Sequence, residues 1–260
     1  MATYKTQVVG SGGAVGQRED LSDVIYNIAP TDTPFMSSVG KTKASAIYHE
    51  WQTDNLAAAT LSNAAVEGDD ATSATLTPTT RIGNRTQISQ KTIQISGTLE
   101  SVDKAGRRSE KAYQLSKASS ELKRDMEKIL LSNQAAVTGD ASTARKLGAL
   151  QAWIKTNYVG AGTAGDLGTT ARVSGTDAAF TEAMLKSAVK KAYEQGGTPS
   201  VLMVTPTQKQ VVSGFTGIAE QRYQAPSNKP TTIVGAADVY LSDFGTLSVV
   251  PNRFLSLIHI

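Results

Sequence analysis

The chain has 260 residues, the length of one large domain or two of ordinary size. Lys plus Arg number 26 against 23 Asp plus Glu, and a formal net charge of +3 is too small to mark a polyanion binder by itself. With no cysteine, and with histidine only at positions 49 and 259, disulfide frameworks, thiolate nucleophiles, zinc–thiolate sites and iron–sulfur clusters are excluded.

In chain order, residues 1–16 are Gly-rich and nearly patternless, which predicts an extended arm. Leu21, Val24, Ile25 and Ile28 then fall at helical spacing behind a cap at Asp20, and Pro30 and Pro34 end that helix. Ala44–Thr53 reads as a strand around Ile47, Tyr48 and Trp51, and Thr80–Ser96 as a second. The stretch Leu56–Thr80 between them is too poor in large apolar residues to build a core. Two strands flanking a polar tip make a ribbon that is marginal alone in water, so a partner surface is expected.

Ser101–Val137 is predicted to be a long spine helix with Tyr113, Leu115, Leu122, Met126, Ile129 and Leu130 mostly on one face. If about 27 residues are helical, it is roughly 40 Å long. Arg145–Thr156 reads as a shorter helix, and 158–175 as a Gly/Ala/Thr loop and boundary. Phe180–Gln195 is an amphipathic helix stopped at Gly196-Gly197, Val201–Val204 a strand, and Thr207–Phe215 a helix opened by Pro206. Thr231–Tyr240 and Thr246–Val250 are strands joined across Asp243–Gly245, expected to pair with each other and with chain beyond residue 254. The class is α+β. No apolar run is long enough for a membrane span, and the first residues carry no secretory pattern, so the default compartment is cytosolic.

Candidate chemistry is thin. Gly160, Gly162 and Gly165 match a dinucleotide-binding glycine pattern, but no helical face follows to meet a pyrophosphate, and a loop is expected. Glu67, Asp69 and Asp70 lack the alternating frame of a calcium loop. His49 beside Glu50 could serve as a base, but no Ser-His-Asp set can be drawn without it and no nucleophile elbow exists. The chain reads as non-catalytic, with no cofactor and no metal.

Five segments in order resemble one family. They are Asp23–Phe35; Gly83–Ile88 with Ile95–Thr98; Arg124–Glu127; Arg145–Ile154; and Val201–Phe215. The family is the SU-ten-type major capsid proteins of tailed bacteriophages, and the resemblance runs from about Leu21 to Phe254. It implies the Hong Kong 97 phage-type capsid fold. The arm with its short helix would be 1–40, the extended β E-loop 41–98, and the P-domain with the spine helix 99–160. The α/β A-domain would be 161–245 and a strand returning to the P-domain 246–254. It further implies self-assembly as hexamers and pentamers of an icosahedral head around double-stranded DNA, with portal and scaffold or decoration proteins as partners and no membrane. Lys104, Arg107, Arg108, Lys111 and Lys117 are the candidates to face the packaged genome without base reading. An encapsulin-like shell enclosing protein cargo is the alternative. The family pattern breaks after Phe254: Leu255–Ile260 is what a transposase adapter used in sequencing libraries encodes. It is read here as an adapter-derived artefact on a shortened gene.

Overall fold

A computed structural model describes residues 30–70, 73, 75–103, 106, 108–215 and 238–255. The chain divides into two units, Met1–Thr31 with Lys91–Leu122, and Asp32–Gln90 with Lys123–Ile260. The expected arm and its helix before Pro30, Lys104, Arg107, the first residues of the strand expected over Thr231–Tyr240, and residues 256–260 lie outside the described residues.

In the first unit, Ser96 caps helix α2 (Gly97–Ser101) by accepting from the Leu99 amide. Glu100 on α2 in turn caps helix α3 (Glu110–Leu130), its carboxylate accepting from the Ser109 hydroxyl and the Glu110 and Lys111 amides. That cap and Gly106, at φ +76°, explain why α3 starts at 110 rather than near 101. The helix has 21 residues, roughly 32 Å, so it is shorter than expected. Its face is also corrected. Leu115 is 58% exposed and Met126 36%, while Glu110, Ala118 and Glu127 are buried. Of the apolar stripe read from spacing, Tyr113, Leu122, Ile129 and Leu130 are half-buried and Leu115 and Met126 stay open.

The second unit holds a short helix α1 (Pro34–Ser38) and strands β1 (Tyr48–Thr53) and β2 (Thr80–Arg85). The two strands pair antiparallel from Tyr48↔Arg85 to Thr53↔Thr80. Both are shorter than predicted, because β2 loses its partner once the Thr86 amide has bonded the Ile47 carbonyl. Helix α4 is only Leu150–Trp153. The residues expected to precede it as helix run extended, with Val137 bridged to Lys146 and the Ala149 amide bonded to the Gln134 carbonyl. Strands β3 (Gly162–Thr163) and β4 (Val173–Ser174) form a small hairpin within the predicted loop.

The core of this unit is an α/β layer. Helix α5 (Glu182–Glu194) is capped by Thr181 and stops where Gly196 takes φ +80° and the Gly197 amide returns to the Ala192 carbonyl. Strand β5 (Val201–Val204) leads into helix α6 (Pro206–Ser213) through a reciprocal capping box of Thr205 and Gln208, with Pro206 in the first turn. Strands β6 (Val239–Ser242) and β7 (Gly245–Pro251) complete a sheet of order β5-β7-β6. The second edge of β7 is not left for chain beyond 254: β5 fills it in parallel, Val201 opposite Ser248. Alternation along the strands turns Val204, Tyr240, Leu247 and Val249 onto Leu185, Val189, Val212 and Phe215. Among the described residues no helix is long and apolar enough to cross a membrane.

Candidate assembly surface

Residues 54–79 leave β1 and return to β2 without helix or strand among the described positions. Their large apolar side chains stand in solvent: Leu56 is 99% exposed, Leu61 108%, Val66 76% and Leu76 87%. Exposed leucines scattered on a monomer need no explanation, but a whole excursion with none buried offers area only to another surface.

The base of the excursion is built. Asn84 donates its side-chain amide to the Gly148 carbonyl at 2.9 Å and accepts the Gly148 amide at 2.8 Å. The Gln87 side-chain oxygen Oε1 accepts from the Leu147 amide and from the Gln134 side-chain amide, and the Arg145 guanidinium donates to the Thr86 carbonyl. Side chains thus continue, against residues 145–148, the ladder that β2 has run out of. Trp51 stacks on Trp153 with ring centroids 5.4 Å apart, and the Trp153 indole N–H donates to the Gly148 carbonyl. Gly83 is required here: a Cβ would lie 2.6 Å from the His49 carbonyl oxygen.

A second node joins other blocks. Glu127 of α3 is 0% exposed. Its Oε1 accepts from the Phe35 amide at 2.8 Å and the Asn252 side-chain amide at 2.7 Å, and its Oε2 from the Met36 amide at 2.8 Å. Asn252 is itself fully buried, donates its own backbone N–H to the Val204 carbonyl and accepts from the Phe254 amide. The segments that carried the family resemblance therefore meet in two places. Residues 83–88 meet 145–148, and Phe35 meets Glu127. From sequence, Asn84 and Gln87 are letters in a matching block, Glu127 stands among the charged residues on the polar face of the spine helix, and Asn252 has no role. The available signal was a Glu within a helix whose surrounding polar residues all read as solvated.

The chemical candidates do not converge. His49 is exposed on β1 with its ring near Trp51, and Glu50 is ion-paired to Arg81. Gly68 takes φ +83° in the turn closed by the Asp69 amide on the Val66 carbonyl, which is why Glu67 and Asp69 sit at a loop tip. Among the described residues no group of acidic or histidine side chains could hold a metal ion. Gly162 and Gly165 serve packing: a Cβ would lie 2.2 Å from the Val173 carbonyl oxygen at one and 2.4 Å from that of Ala152 at the other. Of the basic candidates, Arg108, Lys111 and Lys117 are exposed. Lys117 lines a cleft together with Glu110 and Glu121, which offsets its charge.

Comparison with known proteins identifies the family. The SU10 major capsid protein family matches residues 3–257. The major capsid protein of Escherichia phage Phieco32 is 32% identical over 235 residues, covering 77% of this chain and 67% of that protein. Nothing in either match supports the encapsulin-like alternative. The chain belongs to the SU10 major capsid protein family, and its role is that of a structural protein of a bacteriophage capsid.

Proposed function

We propose that the chain is the repeating tile of an icosahedral head enclosing double-stranded DNA, built on the Hong Kong 97 phage-type fold with the boundaries 1–40, 41–98, 99–160, 161–245 and 246–254. The observation that carries this reading is the excursion of residues 54–79, whose exposed leucines lie on a firmly clasped base. Tiles that close a shell bury on their neighbours what the single chain leaves bare. Hexamers and pentamers of the same chain are the partners this reading requires, with portal and scaffold or decoration proteins beside them, in a virion assembled in the host cytoplasm. Membership of a structural family leads us to infer no enzymatic activity. Lys104, Arg107, Arg108, Lys111 and Lys117 are proposed to meet phosphates without reading bases, so DNA binding should weaken steeply with salt.

Electron microscopy of the chain carrying a family-like C-terminus in place of residues 255–260 is the test, with closed shells expected. Hydrogen exchange over residues 44–98 should be fast in the isolated chain and slow in assembled material. Equal protection in both states overturns the interface reading, and DNA binding that ignores salt or depends on sequence overturns the phosphate contacts.

A further inference from the structure

Glu127 is a buried carboxylate whose described partners are all neutral. Two are consecutive backbone amides in the first turn of α1, and one is the side-chain amide of Asn252, just past β7. A carboxylate accepts and cannot donate, so each of the three N–H groups is matched to an oxygen lone pair. Taking the charge out of water is costly, and here the cost is offset by three short charge-assisted bonds acting together. Removing one leaves the anion under-compensated and weakens the hold on the other two.

The partners come from places far apart in sequence. Phe35 and Met36 lie where the chain enters the second unit, and Asn252 lies at the end of the sheet. Among the described residues, hydrogen bonds join the part from residue 180 onward to the rest of this unit at two points only. One is Asn252 on Glu127 and the other is the Lys191 ammonium on the Tyr158 carbonyl. Asn252 can reach Glu127 only when β7 is seated, because its own backbone amide is bonded to Val204 at the end of β5.

We propose that Glu127 is a latch that couples the seating of α1 to completion of the β5-β7-β6 sheet. With β7 in place, Asn252 completes the carboxylate's shell and residues 32–38 are held. With Asn252 withdrawn, α1 detaches while the sheet keeps its own ladder and core. The latch sets how much of the N-terminal segment is free to engage another molecule, and it does not depend on the shell reading.

Hydrogen exchange by NMR on the full chain tests it. In Asn252→Leu, the Phe35 and Met36 amides should exchange about tenfold faster or more, while the Leu247 and Val249 amides keep their protection. Unchanged exchange at Phe35 and Met36 with an intact sheet overturns the latch. If Asn252→Leu also loosens β7, Glu127→Gln decides. Its amide nitrogen turns a donor toward a donor, so α1 should be released without touching the sheet. Retained protection of Phe35 and Met36 there, or global unfolding of both variants, overturns the proposal.

Discussion

The α/β layer and the excursion of residues 54–79 belong to the same unit and are built on opposite terms. The layer turns alternate strand residues onto two helices and buries eight apolar side chains among themselves. The excursion has leucines and a valine too, and buries none of them. Composition does not separate the two regions as much as spacing does. Val201–Val204 and Gly245–Pro251 place apolar residues at a period a sheet can use, whereas Leu56, Leu61, Val66 and Leu76 fall at no single period. One region is stable by its own packing, and the other leaves its large apolar side chains in water.

The largest expected effect sharpens that contrast directly. Leu247→Ala should cost about 2–5 kcal/mol of unfolding free energy, because Leu247 is 2% exposed at the centre of the layer. Leu61→Ala should cost the isolated chain less than about 0.5 kcal/mol and show its effect only in assembly. Denaturant unfolding of both variants beside microscopy of assembled material measures this. Equal destabilisation of the isolated chain would erase the distinction.

Next comes the join between the two kinds of structure. Asn84→Ala removes both bonds to Gly148 and leaves its amide unmatched, while the carbonyl keeps the Trp153 indole, which should cost about 1–3 kcal/mol. Exchange of the Gly148 amide should rise while the β1–β2 ladder persists. An unaltered Gly148 amide would mean that Asn84 contributes nothing to holding the base. Within the layer, Thr205→Ala should cost about 1 kcal/mol by losing the capping box of α6, read as a shift in denaturation midpoint at unchanged slope.

The smallest effect is a pH dependence outside both regions. Asp140 accepts from the Ser142 amide and hydroxyl and from the Thr143 amide, and these bonds lower its carboxyl from 3.8 to about 2. The bonds favour the ionised form, so its contribution is complete above pH 3.8 and fades as pH falls toward 2. Carboxyl titration by NMR should find Asp140 still ionised at pH 3, and Asp140→Ala should flatten only that acid window.

The layer was legible in the sequence because each of its elements announces itself locally. Pro206 opens α6, Gly196 closes α5, a short apolar run marks β5 and alternation of Leu247 and Val249 marks β7. The spine helix was legible as a helix but not by its most buried positions, since Glu110, Ala118 and Glu127 are buried while Leu122 and Leu130 are half-buried and Leu115 is exposed. The polar nodes were the least legible. Asn84 and Glu127 look like any surface residue until chain 64 and 125 positions away is folded against them. Periodicity reports which face is apolar, and it carries no information about a buried carboxylate satisfied by remote amides.

The stacked indoles at the foot of the excursion have a practical consequence. The chain contains two tryptophans, and Trp51 and Trp153 are both of them. All of its tryptophan emission therefore arises at one spot, from a pair close enough to couple excitonically and with Trp51 partly open to water. The unlabelled protein carries an optical gauge at the foot of the excursion. Any tilt of the excursion should register in tryptophan emission excited beyond the tyrosine band, with no background from the rest of the fold.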